Sequence, residues 1–139
     1  MRLLMMLLLS ISLWASPEAA KALGYHSDYE TALAIAKEEK KPIMLVVVTT
    51  YCPWCRKFER KTLASESIDS VVKQNYVPVI VDRNNDAEKF PKAFQTPRIP
   101  TTFFVDPRNE NGYWETIGYL TTKEFQEALE DAKKLSPKF

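Results

Sequence analysis

Glycine is scarce in this sequence, with 3 among 139 residues, so a glycine-rich phosphate-binding loop has almost no material to be built from. Neither sign of charge is in excess, because 19 lysines and arginines stand against 18 aspartates and glutamates. Such a balance gives the chain no overall field that would draw it to nucleic acid or to an anionic membrane. The composition argues against a nucleotide enzyme and directs the search for a partner to a local site.

Cysteine and histidine are rarer still, with two cysteines and one histidine, His26. Small secreted folds that depend on disulfides hold several cysteine pairs, whereas Cys52 and Cys55 are only three residues apart. Closing so short a loop removes little entropy from the unfolded chain, so stability is a poor reason for the pair. Two cysteines and one histidine are also too few side chains for a closed four-ligand metal site within one chain. We therefore expect a chemically reactive pair and no bound metal.

The one long apolar run occupies residues 3–15, after the charged start Met1-Arg2 and before a polar stretch. About a dozen apolar residues fall short of the roughly 20 that a membrane-spanning helix needs. A charged start, an apolar middle and small residues at the end are typical of a cleaved signal peptide. We assign residues 1–22 to this peptide, with cleavage after Ala22 or, with a poorer fit, after Ala15.

Residues 23–139 then form one domain in the periplasm or another exported compartment, where disulfides persist. Hydrophobic patterning predicts an α/β domain in which helices and strands alternate. The expected elements are helices over 28–40, 53–63, 67–75 and 121–135, strands over 43–48, 76–82, 101–105 and 113–117, and a loose helix over 84–95. The interval between the first two strands suits a right-handed parallel crossover. The last two strands are expected to form an antiparallel hairpin.

Local signals also predict where elements begin and which faces are buried. Residues 27–30 and 121–124 both have the spacing of a capping box. Asn111-Gly112 is a hairpin turn signal between the last two strands. Helical spacing predicts that Val71 and Leu135 face inward together with their apolar neighbours.

The two cysteines lie where the first predicted strand gives way to a helix that Pro53 can start. Residues three apart on a first helical turn share one face, with Cα atoms about 5 to 6 Å apart, within the range of a disulfide. A helix N-terminus favours the thiolate, so Cys52 is predicted to attack and Cys55 to resolve the mixed disulfide. Arg56 and Lys57, which follow, either lower the pKa of Cys52 further or form a solvated face.

These residues resemble the thioredoxin superfamily, whose members place C-x-x-C after the first central strand and a proline before the third. The matching positions here are Cys52-Pro53-Trp54-Cys55 and Ile99-Pro100-Thr101. The resemblance covers residues 25–135 and implies a thioredoxin fold, with a central mixed sheet of four to five strands flanked by helices. It also implies that Pro100 is cis, and that Ile99 and Pro100 bind the substrate, with Ile99 facing the disulfide.

Within that superfamily, three flanking segments are similar to the small exported thioredoxin-related proteins, akin to the C-terminal domain of the bacterial transmembrane disulfide reductase. The segments are Lys41-Pro42-Ile43-Met44, Phe58-Glu59 and Tyr76-Val77-Pro78-Val79. This likeness favours a reductase over an oxidant.

The chain departs from ordinary thioredoxin close to the cysteines. Tyr51 replaces a tryptophan, and Pro53 and Trp54 replace Gly-Pro, so we expect Tyr51 and Pro53 to tune the redox couple and Trp54 to contact the partner. Val46 occupies the position of a buried aspartate that would help proton transfer. Glu59, one turn past the second cysteine, is a candidate proton relay, and an exposed charge is the alternative for it.

The leading hypothesis is an exported thiol–disulfide oxidoreductase that reduces disulfides of other exported proteins. The Cys52–Cys55 disulfide is itself the redox group, so no dissociable cofactor is expected. The expected partners are thiols and disulfides of exported proteins, together with a membrane or soluble thiol that supplies electrons. We expect no binding to nucleic acid. Contact with the membrane is expected only through an uncleaved signal segment. We expect a monomer. The alternatives are a disulfide-donating oxidant or isomerase of the same fold, a copper or zinc metallochaperone, and a redox-silent adaptor.

Overall fold

The computed structural model describes residues 15–139. Its elements in chain order are α1 (Ala15–Leu23), α2 (Tyr29–Glu39), β1 (Ile43–Val48), α3 (Pro53–Lys57) with its π-helical continuation Phe58–Leu63, α4 (Glu66–Asn75), β2 (Val77–Asp82), a 3₁₀ turn (Lys92–Phe94), β3 (Thr101–Asp106), β4 (Asn111–Ile117) and α5 (Thr122–Leu135). Residues 1–14, which hold most of the predicted signal peptide, lie outside the described residues.

Within residues 15–139 the sheet has four strands in the order β2-β1-β3-β4, so β1 lies inside it. β1 pairs in parallel with β2, with Ile43 opposite Val77, and antiparallel with β3. β3 and β4 form an antiparallel pair at one edge. The mixed sheet and its flanking helices confirm the predicted thioredoxin fold, with four strands rather than five.

β1 is buried on both faces because its six apolar residues alternate between two cores. Met44, Val46 and Val48 belong to the core that also contains both cysteines and Phe58, and Ile43, Leu45 and Val47 belong to the core beneath α2. Complete burial of side chains of this size stabilises the fold by about 1.5–3 kcal/mol each. The segment that leads to Cys52 therefore starts from a completely buried strand inside the sheet.

The predicted capping box at residues 27–30 is wrong by one position. Asp28 is the N-cap of α2, and its carboxylate accepts hydrogen bonds from the backbone N–H of Thr31 at 2.9 Å and from its hydroxyl at 2.6 Å. An ionised aspartate also complements the positive end of the helix dipole, which a serine cannot do. The capping box at Thr121 and Glu124 is confirmed at the start of α5.

The hairpin turn also differs from the prediction. Asn111 and Gly112 lie inside β4, and the turn precedes them, with Glu110 in the left-handed region at φ 57°. A Cβ on Gly112 would lie 3.2 Å from a ring carbon of Phe94. This glycine therefore permits a close approach of an aromatic ring instead of forming the turn.

Two apolar residues that were predicted to face inward are exposed. Val71 lies on the outer side of α4, where Ile68 and Val72 alone take the buried positions. Leu135 ends α5 and is 53% exposed. The predicted loose helix over 84–95 is reduced to turns and the short 3₁₀ turn, although Phe94 there is buried.

Helix α1 belongs to the packed domain. Ala20 and Leu23 are buried in the same core as the cysteines, and the backbone N–H of Tyr25 donates to the carbonyl of Ala20 at 2.8 Å. Beyond it, His26 forms a short parallel bridge to Val79 of β2. Within residues 15–139, no helix has both the length and the apolar character needed to cross a bilayer.

Candidate active site

The two cysteines lie at the junction that the sequence predicted, between β1 and α3. Cys52 is the N-cap of α3 in an extended conformation, and Pro53 occupies the first helical turn. The two sulfur atoms are joined in a disulfide, with the Cα atoms 5.2 Å apart. The predicted spacing and the predicted pairing are thus both present in the structure.

The cysteines differ in exposure and in their contact with the helix. Cys52 is 7% exposed, whereas Cys55 is completely buried. The backbone N–H of Cys55 donates a hydrogen bond to Sγ of Cys52 at 3.1 Å. A helix N-terminus thus presents a donor to the outer sulfur, an arrangement that stabilises negative charge there when the bond opens. This geometry supports the predicted order, in which Cys52 attacks and Cys55 resolves.

Large aromatic side chains next to the cysteines in the chain are exposed at the surface. Tyr51 is 96% exposed and Trp54 is 56% exposed. The rings of Trp54 and Tyr119 lie 5.8 Å apart, and Nζ of Lys57 lies 5.1 Å and 4.7 Å from their respective centroids. Sequence reasoning had not found Tyr119, because nothing local connects a residue between β4 and α5 with the start of α3. The exposed rings make this surface suited to contact with another chain.

The Ile99–Pro100 peptide bond is cis, as the resemblance to the thioredoxin superfamily implied. The carbonyl of Pro100 accepts a hydrogen bond from the backbone N–H of Gly118 at 2.7 Å. Ile99 is half-buried and packs against the core that contains both cysteines. Its contact with a substrate stays a prediction.

The side chain of Arg56 points away from solvent and contacts the chain on either side of the cysteines. Its guanidinium donates to the carbonyls of Thr49 and Thr50, each at 3.3 Å. It also donates to Oε1 of Glu59 at 2.8 Å, and its Nε lies 2.8 Å from Oε2 of the same carboxylate. Arg56 is therefore part of a defined network and does not form a solvated face.

Glu59, the candidate proton relay, is 5% exposed on the π-helical continuation of α3. Burial raises the pKa of this carboxyl above its usual value, although the neighbouring Arg56 acts in the opposite direction. The alternative of an exposed charge is therefore wrong for Glu59, and the proton relay stays a prediction. Val46, which replaces the buried aspartate of ordinary thioredoxin, is completely buried in β1.

A copper or zinc site was one of the alternatives that the sequence left open. Within residues 15–139, no three side chains of histidine, cysteine, aspartate or glutamate come together in a way that could hold a metal ion. The chemistry that the site displays is that of the disulfide itself.

Comparison with known proteins gives a family. Residues 29–133 match the family model of the thioredoxin-like domain. Among curated proteins, spermatogenesis-associated protein 20 of Rattus norvegicus is 33% identical over 86 residues, which are 62% of this chain and 10% of that protein. The chain thus spans about a tenth of the length of this relative.

Solved structures show the same fold. A thioredoxin from Thermus thermophilus has a TM-score of 0.70 at 19% identity, with 78% of this chain and 86% of that chain covered. The C-terminal domain of DsbD from Neisseria meningitidis, in its oxidised form, has a TM-score of 0.62 at 18% identity, with 77% and 97% covered. This fold and a cysteine pair that forms a disulfide together support thiol–disulfide exchange.

Proposed function

The chain belongs to the thioredoxin-like family, and on this premise we propose that it is an exported thiol–disulfide oxidoreductase that reduces disulfides in other exported proteins. The observation that carries the proposal is the asymmetry of the Cys52–Cys55 pair. The outer sulfur receives a helix N–H, and the inner sulfur lies behind it in the core. This is the arrangement that a two-step exchange requires.

In the proposed reaction the protein begins as a dithiol. The thiolate of Cys52 attacks one sulfur of the substrate disulfide, which forms a mixed disulfide and releases one substrate thiolate that takes up a proton. Cys55 then loses its proton, and its thiolate attacks Sγ of Cys52, which releases the second substrate thiolate and closes the Cys52–Cys55 disulfide. Two electrons have moved from the protein to the substrate, and a thiol partner in the membrane or in solution restores the dithiol.

Three features of the surface support a protein as the substrate. Trp54 and Tyr51, next to the cysteines in the chain, expose large rings, and Ile99 packs against the core that contains both cysteines. An extended polypeptide that carries a disulfide could contact these side chains on both sides of the reacting sulfur. Tyr51 and Pro53 flank Cys52 and remain our candidates for residues that tune the reduction potential of the Cys52–Cys55 couple.

Export of the domain is part of the proposal. It rests on the charged start and the apolar run of residues 3–15. Of the two candidate cleavage points, the packing favours Ala15, because cleavage after Ala22 would remove Ala20, which is buried in the core. The mature chain would then keep nearly all of α1.

Reduction of insulin disulfides, with dithiothreitol as the electron source, tests the proposed chemistry. The wild-type protein should accelerate the reduction, and Cys52→Ala should reduce the rate to that of dithiothreitol alone, because no attacking thiolate remains. Circular dichroism of the variant provides the control for folding. If Cys52→Ala retained the wild-type rate, the proposed mechanism would be wrong.

A further inference from the structure

We propose that Arg56 is a positioning residue that clamps the two ends of the Cys52–Cys55 segment and thereby keeps the two thiols close together after the disulfide is reduced. The proposal rests on the proposed function and adds a cause for the direction of electron flow. It assigns to Arg56 an effect on the redox equilibrium that is opposite to the effect of its positive charge.

The clamp connects the chain before the first cysteine to the chain after the second. Arg56 directly follows Cys55, and Nη1 and Nη2 donate to the carbonyls of Thr50 and Thr49, both at 3.3 Å. These two carbonyls belong to the segment between β1 and Cys52. One side chain thus bridges the segment that carries both sulfur atoms.

Glu59 fixes the orientation of the clamp. Nη2 of Arg56 donates to Oε1 of Glu59 at 2.8 Å, and Nε lies 2.8 Å from Oε2. The Glu59 side chain is 6% exposed and the Arg56 side chain 25% exposed, so the pair lies largely in the protein interior. A planar guanidinium that is held along one edge by a carboxylate can direct its remaining N–H groups at fixed acceptors.

The clamp matters most in the dithiol. In the disulfide form a covalent bond holds Cys52 against Cys55, but in the dithiol form only non-covalent contacts do so. Re-formation of the disulfide depends on the effective concentration of one thiol near the other. A clamp that maintains this proximity favours the disulfide and makes the dithiol a stronger reductant.

The charge of Arg56 would act in the other direction. A positive charge near Cys52 stabilises the thiolate and therefore the reduced form. The carboxylate of Glu59, 2.8 Å from the guanidinium, offsets that charge. The two possible roles of Arg56 thus predict redox shifts of opposite sign, and substitution can distinguish them.

The test measures the equilibrium constant of the Cys52–Cys55 couple against glutathione in the full-length protein, by alkylation and mass spectrometry. The variants are Arg56→Met, Arg56→Lys, and the matched control Lys61→Met, which alters an exposed side chain in the same helical segment. Arg56→Lys keeps a positive charge beside the buried Glu59 but cannot reach both carbonyls and the carboxylate at once. It therefore removes the clamp without leaving a buried charge unpaired.

We expect both Arg56 variants to shift the equilibrium toward the dithiol by about tenfold, which makes the potential about 30 mV less negative. Lys61→Met should stay within about twofold of the wild type. If Arg56→Lys matches the wild type, or if Arg56→Met shifts toward the disulfide, the clamp is wrong. A wild-type protein without a reversible couple would instead overturn the proposed function on which the clamp rests.

Discussion

The backbone N–H of Cys55 lies 3.1 Å from Sγ of Cys52 and donates a hydrogen bond to it. Because the donor is a main-chain group, it remains when the Cys55 side chain is replaced. Cys52 is the N-cap of α3, so the same helix start would stabilise its thiolate in a variant that lacks the second thiol. The attacking step and the resolving step can thus be separated by mutation.

Cys55→Ala should trap mixed disulfides. Cys52 can still attack a partner disulfide, but no buried thiol follows to release the partner. Non-reducing electrophoresis and mass spectrometry should find adducts of the Cys55→Ala protein that dithiothreitol dissolves. Cys52→Ala, which keeps the buried Cys55 thiol, is the control and should form none. Adducts at the same level in the two single variants would contradict the assigned roles.

Trp54→Ala should weaken the binding of protein substrates and leave the chemical step intact. The ring is 56% exposed beside the disulfide and lies 5.8 Å from Tyr119, so its loss should cost about 1 kcal/mol of contact, or about a fivefold increase in KM for insulin. Reduction of a small aromatic disulfide should keep its rate. Val71→Ala, at an exposed apolar position on α4, is the control. An unchanged KM for insulin would exclude Trp54 from partner contact.

Asp106→Asn should make the fold less stable at neutral pH but not in acid. Hydrogen bonds from Arg108 hold the pKa of the Asp106 carboxyl below its usual value. The folded state thus favours the ionised form, and this contribution is present at neutral pH and is lost as the pH falls through and below the usual range of aspartate. The melting temperature of the variant should be a few degrees lower at about pH 7 and equal at about pH 2.

Asp131→Asn, at an exposed position on α5, is the control for that experiment and should change the melting temperature little at either pH. If the loss of melting temperature in Asp106→Asn were larger in acid than at neutral pH, the assigned direction of the pKa shift would be contradicted.

The N-terminus of the mature protein should be Ser16. A chain of residues 23–139 lacks the buried Ala20 and its 2.8 Å hydrogen bond from Tyr25, so its free energy of unfolding should be about 2 kcal/mol lower than that of residues 16–139. Urea unfolding of the two chains measures this difference, and intact mass of the exported protein locates the cleavage. Equal stabilities, or a mature chain that begins at Leu23, would contradict cleavage after Ala15.

The parts of the fold that the sequence predicted depend on strong local signals. The six apolar residues of β1 and the capping box of Thr121 and Glu124 define their elements without distant partners. The position of the Cys52–Cys55 pair follows from these local signals too, because a buried strand and a proline-started helix meet at it.

The features that the sequence did not predict depend on distant neighbours. Gly112 leaves room in β4 for the ring of Phe94, which belongs to a separate segment of the chain. Tyr119 contacts Trp54 from the segment between β4 and α5, far from the start of α3 in the chain. The contacts of Arg56 to two main-chain carbonyls have no signature in residue type, so the clamp could be found only in the structure.

The reduction potential of the Cys52–Cys55 couple tests the central claim most directly. The protein is equilibrated in glutathione or dithiothreitol buffers, and the dithiol fraction is read by thiol alkylation or by Trp54 fluorescence. A reductase predicts a potential of about −250 mV or below. A value near about −120 mV would contradict the reducing direction, and the absence of a reversible couple would contradict thiol–disulfide exchange altogether.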